Sequence, residues 1–172
     1  MAAKKKNLDK SNLSGLCNMT DKSFGLVVSE WNEEITGSLE KGARKTLLKH
    51  GVKEDNIHVV YVPGSFELPM GARLLAGKER MDAVICIGCV IKGETKHDEY
   101  INNAVASGIM SLGLASSKPV IFGVLTPNDY QQAKDRAGGK HGNKGVEAAH
   151  TALKMVSLAH NLKESDSKIG FK

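Results

Sequence analysis

The chain has little of what marks several classes of protein. Only 5% of its 172 residues are aromatic, and these do not alternate with basic residues as in proteins that bind single-stranded nucleic acid by stacking. Its three cysteines are an odd number, which argues against a disulfide-stabilised scaffold. No apolar run approaches the length of a membrane-spanning helix, and the lysine-rich start leads into no hydrophobic signal core. These absences favour a cytoplasmic protein that binds neither nucleic acid nor membranes.

Two of the cysteines form a Cys86-x-x-Cys89 pair, the spacing of many redox and metal-binding motifs. The pair lies inside a predicted strand, however, where residues three apart face opposite sides. No second pair follows to complete a zinc site. We therefore interpret both cysteines as buried thiols and predict no metal site.

The net charge of +5 is small, and part of it is concentrated in a glycine-rich segment that holds Arg136, Lys140 and Lys144. Glycines let backbone N–H groups approach an anion, and the helix that follows adds its positive end. The segment therefore suits a small anionic ligand. It is not a Walker A loop, because no serine or threonine follows Lys144. A basic surface loop without a ligand is the alternative.

Short apolar runs alternate with stretches of helical periodicity along the chain. The runs predict four strands, at residues 24–30, 56–62, 81–87 and 119–126. Strands that alternate with helices imply right-handed crossovers and a parallel sheet covered on both faces. The sequence therefore predicts an α/β fold, a three-layer flavodoxin-like sandwich with a four-stranded parallel sheet and about five helices.

The pattern predicts one domain, over residues 23–163. It is preceded by a flexible N-terminal arm, residues 1–22, and followed by a C-terminal tail, residues 164–172. Within the arm, residues 13–19 carry a weak pattern that could add an edge strand to a neighbouring chain.

The most informative stretch is residues 88–100, which follows the third strand and leads into a helix. Thr95 and Asp98 form a capping-box-like pair that would place His97 in the first helical turn. This is just beyond the carboxyl end of a buried strand, where open α/β sheets bind ligands. A histidine there can exchange protons with a ligand. A surface histidine without a role is the alternative.

The other loops at this edge of a parallel sheet carry an aromatic residue and a carboxylate. Trp31 could stack on a planar ring or plug the edge of the sheet. Glu67 could bind hydroxyl groups or complement the dipole of the helix that begins near Ser65. Together with His97, these loops predict a site for a polar, planar ligand.

Four ordered segments resemble the 6,7-dimethyl-8-ribityllumazine synthase family. They are Pro-Gly-Ser-Phe-Glu-Leu-Pro at 63–69, Val-Ile-Lys-Gly-Glu-Thr-Lys-His at 90–97, Val-Ile-Phe-Gly-Val-Leu-Thr at 120–126 and Arg-Ala-Gly-Gly-Lys-His-Gly-Asn-Lys-Gly at 136–145. The resemblance extends over residues 22–163. It implies a transferase of riboflavin biosynthesis that condenses 5-amino-6-(D-ribitylamino)uracil with 3,4-dihydroxy-2-butanone 4-phosphate, releases phosphate and water, and needs no cofactor.

The resemblance also implies a role for each matching residue. His97 corresponds to the catalytic proton-transfer residue. The substrate-binding residues are Trp31, stacked on the pyrimidine; Ser65, Phe66 and Glu67, on the ribityl chain; Cys89, Val90 and Ile91, whose backbone groups line the pyrimidine pocket; Glu94 and Thr95, in the phosphate-binding turn; and Phe122 and Arg136, which complete the pocket from the adjacent subunit, with Arg136 on the phosphate.

The sequence departs from the family pattern at two positions. Asp98 stands where the family commonly has an aromatic residue, and Lys92 stands where arginine is frequent. The carboxylate of Asp98 places a negative charge beside His97, whereas the helix terminus places a partial positive charge there. The change at Lys92 alters the geometry of the donor group but not its charge.

The family assembles as homopentamers, and in many members twelve pentamers form a hollow icosahedral shell. The connection over residues 138–145 is compact, which favours the shell. The resemblance also makes riboflavin synthase a candidate partner. The alternatives are a carrier of lumazine or flavin, which could dispense with His97 and Arg136, and a purely structural shell protein. A flavodoxin-like electron carrier would need a hydroxyl-rich phosphate loop where residues 29–34 are acidic.

Overall fold

The computed structural model describes residues 13–168. This part of the chain contains five α-helices, a four-stranded sheet and a small hairpin. The helices are α1 (Glu33–Lys49), α2 (Leu68–Ala76), α3 (His97–Ser116), α4 (Tyr130–Arg136) and α5 (Lys144–Lys168). The strands of the sheet are β1 (Phe24–Ser29), β2 (Ile57–Val62), β3 (Ala83–Cys89) and β4 (Val120–Leu125), and those of the hairpin are β5 (Ala137–Gly139) and β6 (Gly142–Asn143).

The main sheet has the order β2-β1-β3-β4, and all its neighbouring strands are parallel. Phe24 in β1 pairs with Ile57 on one side and Ala83 on the other. Helices cover both faces of the sheet, so the predicted three-layer α/β sandwich is confirmed. Since all four strands are parallel, their carboxyl ends lie at one edge, which the loops after β1, β2 and β3 cover.

The apolar side chains form one core cluster on each face of the sheet. Leu26 and Val28 of β1 belong to the cluster shared with α1 and α5. Val27, between them, belongs to the cluster shared with α2 and α3. A strand buried on both faces needs apolar residues at consecutive positions, which explains why the strands appear in the sequence as unbroken apolar runs.

Helices α1 and α5 approach closely at Gly145. A Cβ atom built on this glycine would lie 1.8 Å from the carbonyl oxygen of Leu39, a backbone atom of α1. Only a residue without a side chain allows this approach. The glycine-rich segment is therefore needed for packing, independently of any ligand.

The predicted arm and tail extend beyond the described residues at both ends. Residues 1–12 of the arm lie outside them, while residues 13–22 lie against the domain. Met19 is buried in the core, and the N–H of Cys17 donates to Ser157 Oγ at 2.9 Å. Residues 13–19 form turns and irregular backbone. At the other end, α5 continues into the predicted tail as far as Lys168.

Two local expectations need correction. The third strand, predicted to end at Ile87, continues to Cys89. The glycine-rich segment, for which the sequence predicted no strand, contains the antiparallel hairpin β5–β6, which is possible because Gly138 and Gly142 adopt positive φ values. None of the helices in the described part of the chain is long and apolar enough to cross a membrane.

Candidate active site

A cavity of about 940 Å³ lies at the carboxyl edge of the sheet. The loops after β1, β2 and β3 and the first turns of α3 form its walls. Nine of the twelve site residues predicted from the sequence line it: Trp31, Ser65, Phe66, Glu67, Cys89, Val90, Ile91, Thr95 and His97. The fold thus brings together residues from three separate loops.

The other three predicted residues do not line this cavity. Glu94 is exposed in the turn before α3. Phe122 lines a separate groove of about 710 Å³ between α3, β4 and α5. Arg136 is exposed at the end of α4. A single chain therefore brings neither Phe122 nor Arg136 to the cavity.

His97 is the first residue of α3, as the sequence predicts. Its backbone N–H donates to Thr95 Oγ1 over a long 3.4 Å. The carboxylate of Asp98 lies in the first turn of α3, as predicted, where it complements the positive end of the helix dipole. Lys96 occupies the N-cap position and makes no side-chain cap bond. The imidazole of His97 is exposed and points to no protein acceptor in this part of the chain. It is therefore accessible to a ligand in the cavity.

Trp31 is 72% exposed. A residue that plugs the edge of a sheet would be buried, so the exposure favours a stacking surface over a plug. The backbone of Trp31 is held in place, since its N–H donates to Pro63 O at 3.2 Å. The next residue, Asn32, has left-handed backbone angles, φ 62° and ψ 47°, and also lines the cavity.

Ser65 and Glu67 belong to a short 3₁₀ turn that precedes α2. Ser65 does not cap α2, because its hydroxyl group is buried and has no hydrogen-bond partner in the described part of the chain. The turn is instead closed by Glu67, whose Oε2 accepts the N–H of Gly64 at 3.0 Å. This is the local role expected of an acid near a helix start. The second carboxylate oxygen, Oε1, has no protein partner in the described part of the chain and can accept from a ligand.

The end of β3 contributes backbone groups to the cavity. Val90 N–H donates to Leu125 O at 2.8 Å, and Lys92 N–H donates to Pro127 O at 3.0 Å. Both donors are thus used on the side of β4. The carbonyl oxygen of Cys89 faces the other side, where it accepts from Asn32 Nδ2 at 2.9 Å. The backbone groups of this segment therefore alternate between the sheet and the cavity wall.

The two cysteines of β3 are buried, as predicted. Desolvation raises the pKa of Cys86 to about 12 and that of Cys89 to about 11. Both are therefore protonated at neutral pH and unsuited to redox or metal chemistry. Among the side chains that the structure describes, residues 13–165, no three histidine, cysteine, aspartate or glutamate residues come together as a metal site.

The basic segment is arranged differently from the predicted anion cradle. Asn143 Oδ1 accepts from the N–H groups of Gly145, at 2.8 Å, and Val146, at 3.3 Å. The start of α5 is thus capped by the protein itself, which the sequence did not indicate. Lys140 pairs with Asp135 at 2.7 Å, and Lys144 pairs with Glu147 at 3.1 Å.

Of the three basic residues in this segment, only Arg136 has no acidic partner within the described residues. Its guanidinium group offers a planar pair of donors that matches a phosphate. The lysines are less available, since each is held by a carboxylate.

Some lining residues were not identified from the sequence. Tyr100, Ile101 and Ala104 line the cavity from α3. They lie three, four and seven residues after His97, so helical spacing places them on the same face and could have identified them. Asn32 gave no such signal, because its contact with Cys89 joins residues 57 positions apart.

Fold and cavity together define the class of protein. This is a parallel α/β protein that holds an exposed aromatic ring, an exposed imidazole and a free carboxylate oxygen at the carboxyl edge of its sheet, an arrangement suited to binding a small polar molecule. Comparison with known proteins identifies the family.

Residues 21–160 match the family model described as 6,7-dimethyl-8-ribityllumazine synthase. A protein of that name from Cytophaga hutchinsonii is 57% identical over 158 residues, which cover 91% of this chain and 98% of the relative. Its namesake from Parabacteroides distasonis is 48% identical, with 92% of this chain and 99% of the relative covered. The protein of the same name from Bacteroides fragilis is 54% identical, with 81% of this chain and 97% of the relative covered.

The chain belongs to the 6,7-dimethyl-8-ribityllumazine synthase family. It is a transferase that condenses 5-amino-6-(D-ribitylamino)uracil with 3,4-dihydroxy-2-butanone 4-phosphate in the penultimate step of riboflavin biosynthesis. The family and reaction that the four sequence motifs implied are thereby confirmed.

Proposed function

We propose that the cavity at the carboxyl edge of the sheet is the place where the two substrates are joined. The observation that carries this proposal is the convergence of nine matching residues, from three loops, on one cavity with an exposed histidine. The family defines the reaction, and the cavity is where this chain has the groups that the reaction needs.

The pyrimidine lies between an aromatic face and a backbone edge. Trp31 stacks on the ring, which its exposure permits. The backbone at Cys89, Val90 and Ile91 forms the wall along the edge of the ring, and Ile91 supplies the polar groups that contact it, because Val90 N–H is already bonded to Leu125 O. Along an extended backbone, polar groups alternate in direction, so the N–H and C=O of Ile91 face the same side as the carbonyl of Cys89.

The ribityl chain lies along the 3₁₀ turn before α2. Glu67 Oε1 accepts from the ribityl hydroxyl groups while Oε2 keeps the turn closed through Gly64. Ser65 and Phe66 complete this wall. A carboxylate held in this way is pre-oriented, so little side-chain freedom is lost on binding.

The phosphate of the second substrate binds at the start of α3. The first N–H groups of a helix point outward and carry the positive end of its dipole, and the turn with Glu94 and Thr95 leads into them. Arg136 adds its guanidinium from the adjacent subunit. Its lack of an acidic partner in the described residues supports this role.

The chemistry starts when the uracil amine attacks the ketone carbonyl, loses water and forms an imine. A proton is then removed from the hydroxyl-bearing carbon next to the imine, and the electron pair expels inorganic phosphate and leaves an enol. The enol tautomerises to a ketone with a new methyl group. The ribitylamino nitrogen attacks this carbonyl, and loss of a second water closes the ring. His97 takes and returns protons in these steps, which contributes about 10²–10⁴-fold to the rate. Arg136 and the helix terminus stabilise the departing phosphate.

The site requires a second chain, and we propose that the protein forms a homopentamer. Phe122 is 37% exposed and lines the apolar groove between α3, β4 and α5. The groove also exposes Met110, Leu114 and Met155. An exposed apolar surface of this kind is typical of an interface. In a pentameric ring, the neighbour on one side would cover this groove, and the neighbour on the other side would place its own Phe122 and Arg136 near the cavity.

Twelve pentamers can assemble into an icosahedral shell, which we propose for this chain because the hairpin β5–β6 is compact. The three free thiols fit the reducing cytoplasm. Riboflavin synthase is the candidate partner. Light scattering distinguishes a shell from a pentamer, and a pentamer-sized particle at all concentrations and buffers would contradict the shell.

Mixed oligomers test the shared site directly. His97→Ala and Arg136→Ala should each lose most of the activity. Because the two residues of one site come from different chains, co-assembly of equal amounts of the two variants should restore intact sites at about one quarter of the interfaces. The measurement is the absorbance of the lumazine product above the uncatalysed reaction.

Each outcome of this experiment has a clear meaning. Restored activity in the mixture supports both the assigned roles and the shared site. Loss in both variants without restoration would place both residues in the same chain's site. An unchanged rate in His97→Ala would remove the catalytic role of His97. If the wild-type protein binds lumazine tightly but does not accelerate the reaction, the result would favour a lumazine carrier.

A further inference from the structure

Asn32 has the position of a helix cap but not the usual contacts of one. It directly precedes α1, and its backbone oxygen accepts from the N–H of Ile35 at 2.9 Å and of Thr36 at 3.0 Å. Asparagine at this position usually caps a backbone N–H of the first turn with its side-chain oxygen, and here that bond is absent. Instead, Nδ2 donates to the carbonyl oxygen of Cys89 at 2.9 Å. The side chain thus ties the β1–α1 loop to the end of β3.

The backbone of Asn32 determines the direction of the loop. Its left-handed angles are unfavourable for most residues but are tolerated by asparagine, aspartate and glycine. They turn the chain sharply between Trp31 and α1. The backbone at Trp31 is therefore held by two hydrogen bonds. Trp31 N–H donates to Pro63 O, and the side-chain amide of Asn32 donates to Cys89 O. Trp31 nevertheless remains largely exposed.

We propose that Asn32 is a positioning residue for Trp31. Its amide fixes the spacing between the indole and the backbone groups at the end of β3, so that the face and the edge of one pyrimidine can be contacted together. The inference rests on the proposed function for the stacking role of Trp31. Since the tie exists before ligand binds, the order it imposes need not be gained during binding.

The proposed role differs from a general contribution to stability. A bond that only stabilised the fold would affect both substrates alike. Asn32, Thr95 and His97 all line the cavity. In the proposed function, however, Asn32 lies at the pyrimidine side, whereas Thr95 and His97 lie at the phosphate side. Loss of the amide should therefore weaken binding of ribitylaminouracil and leave binding of butanone phosphate unchanged.

Two substitutions separate the amide from the backbone conformation. Asn32→Asp keeps the size and the tolerance of left-handed angles but replaces the donor with an acceptor. Asn32→Gly keeps the backbone freedom and removes the side chain. Asn56→Asp is the matched control, because Asn56 Nδ2 donates to Thr20 O at 3.1 Å just before β2, at the opposite edge of the sheet.

The chain contains one tryptophan, so its fluorescence reports on Trp31 alone. In the ligand-free protein, both Asn32 variants should show a lower fluorescence anisotropy than the wild type. Their KM for ribitylaminouracil should rise about fivefold to tenfold, the effect of one lost hydrogen bond, with the KM for butanone phosphate unchanged. Asn56→Asp should match the wild type in all three measurements.

Wild-type anisotropy and wild-type KM values in both Asn32 variants would overturn the inference, as would an equal rise in both KM values. An effect of Asn32→Asp that is absent in Asn32→Gly would also overturn it, because the added charge would then be the cause. Trp31→Ala separates this failure from that of the proposed function. An unchanged KM for ribitylaminouracil in Trp31→Ala would remove the stacking role itself. If Trp31→Ala raises this KM but both Asn32 variants keep the wild-type values, only the inference about Asn32 is overturned.

Discussion

The carboxylate of Asp135 and the ammonium group of Lys140 lie 2.7 Å apart across the end of the β5–β6 hairpin. The backbone oxygen of Asp135 also accepts the N–H of His141 at 2.8 Å. The residue that precedes Arg136 is thus bonded twice to the loop between the two strands. These bonds fix the backbone from which the Arg136 side chain projects.

Removal of this carboxylate should weaken phosphate binding. In Asp135→Asn, the hairpin loses its ion pair, and the backbone that carries the Arg136 side chain is held less firmly. The KM for butanone phosphate should therefore rise about threefold to tenfold. The KM for ribitylaminouracil should change less. Glu34→Gln is the control, because it breaks another ion pair of α4, with Lys134 at 2.8 Å, outside the hairpin. Equal effects of both variants would contradict a specific role for Asp135.

The same pair predicts how stability depends on pH. Hydrogen bonds from Lys140, and then Gln131, lower the pKa of Asp135 below its ordinary value of 3.8. The ionised form is favoured in the folded state, so its contribution is complete above pH 3.8 and is lost as the pH falls through the lowered pKa. Wild type and Asp135→Asn should therefore differ in urea stability at neutral pH and converge in strong acid. A constant difference would contradict this assignment.

His50 predicts a pH dependence in a higher range. The centre of its ring lies 5.7 Å from that of the His150 ring. This contact joins the end of α1 to α5. Burial, and then the charges of His150 and Lys49, lower the pKa of His50 below 6.5. As the pH falls below 6.5, the unfolded chain takes up this proton first, so the folded state loses stability.

His50→Gln should reduce this loss. Unfolding in urea, measured at about pH 7.5 and about pH 5.5 at one protein concentration, should show a smaller pH effect in the variant than in the wild type. A wild-type pH effect in His50→Gln would show that His50 does not cause it.

Gly145 should not tolerate a methyl group. In Gly145→Ala, the Cβ atom would collide with the backbone of Leu39, so α1 and α5 must separate at a cost of about 1–3 kcal/mol or more. Gly37 of α1 is the control, because a Cβ atom there has nothing within 4 Å. Gly37→Ala should stabilise the protein by about 0.5–1 kcal/mol. Chemical denaturation measures both, and a neutral Gly145→Ala would contradict the close packing of these helices.

The cysteines should differ in reactivity. Cys86 and Cys89 are buried and protonated at neutral pH, and the thiolate is the reactive form. A thiol reagent should therefore modify at most one thiol per native chain, at the half-buried Cys17, and all three after denaturation. Rapid modification of two or three thiols in the native protein would contradict the burial of the pair.

Much of the fold follows from local patterns. Apolar runs such as residues 24–30 predict buried strands, and the spacing of Ile35, Leu39, Ala43 and Leu47 predicts α1, because periodicity is set by the geometry of each element. The alternation of strands and helices then predicts a parallel sheet, and with it the edge at which the loops meet. His97, Trp31 and Glu67 could thus be placed at one site from the sequence.

The tertiary structure decided how the polar groups are paired. The sequence shows an asparagine before a helix, a lysine-rich glycine segment and a serine near a helix start, each with several possible partners. Which partner each takes depends on distances between segments that are far apart in the chain, as with Asn32 and Cys89, 57 positions apart. Such distances follow from packing and not from local periodicity. Packing also keeps Phe122 and Arg136 away from the cavity of their own chain, in agreement with the family resemblance, which assigns them to the pocket of the adjacent subunit.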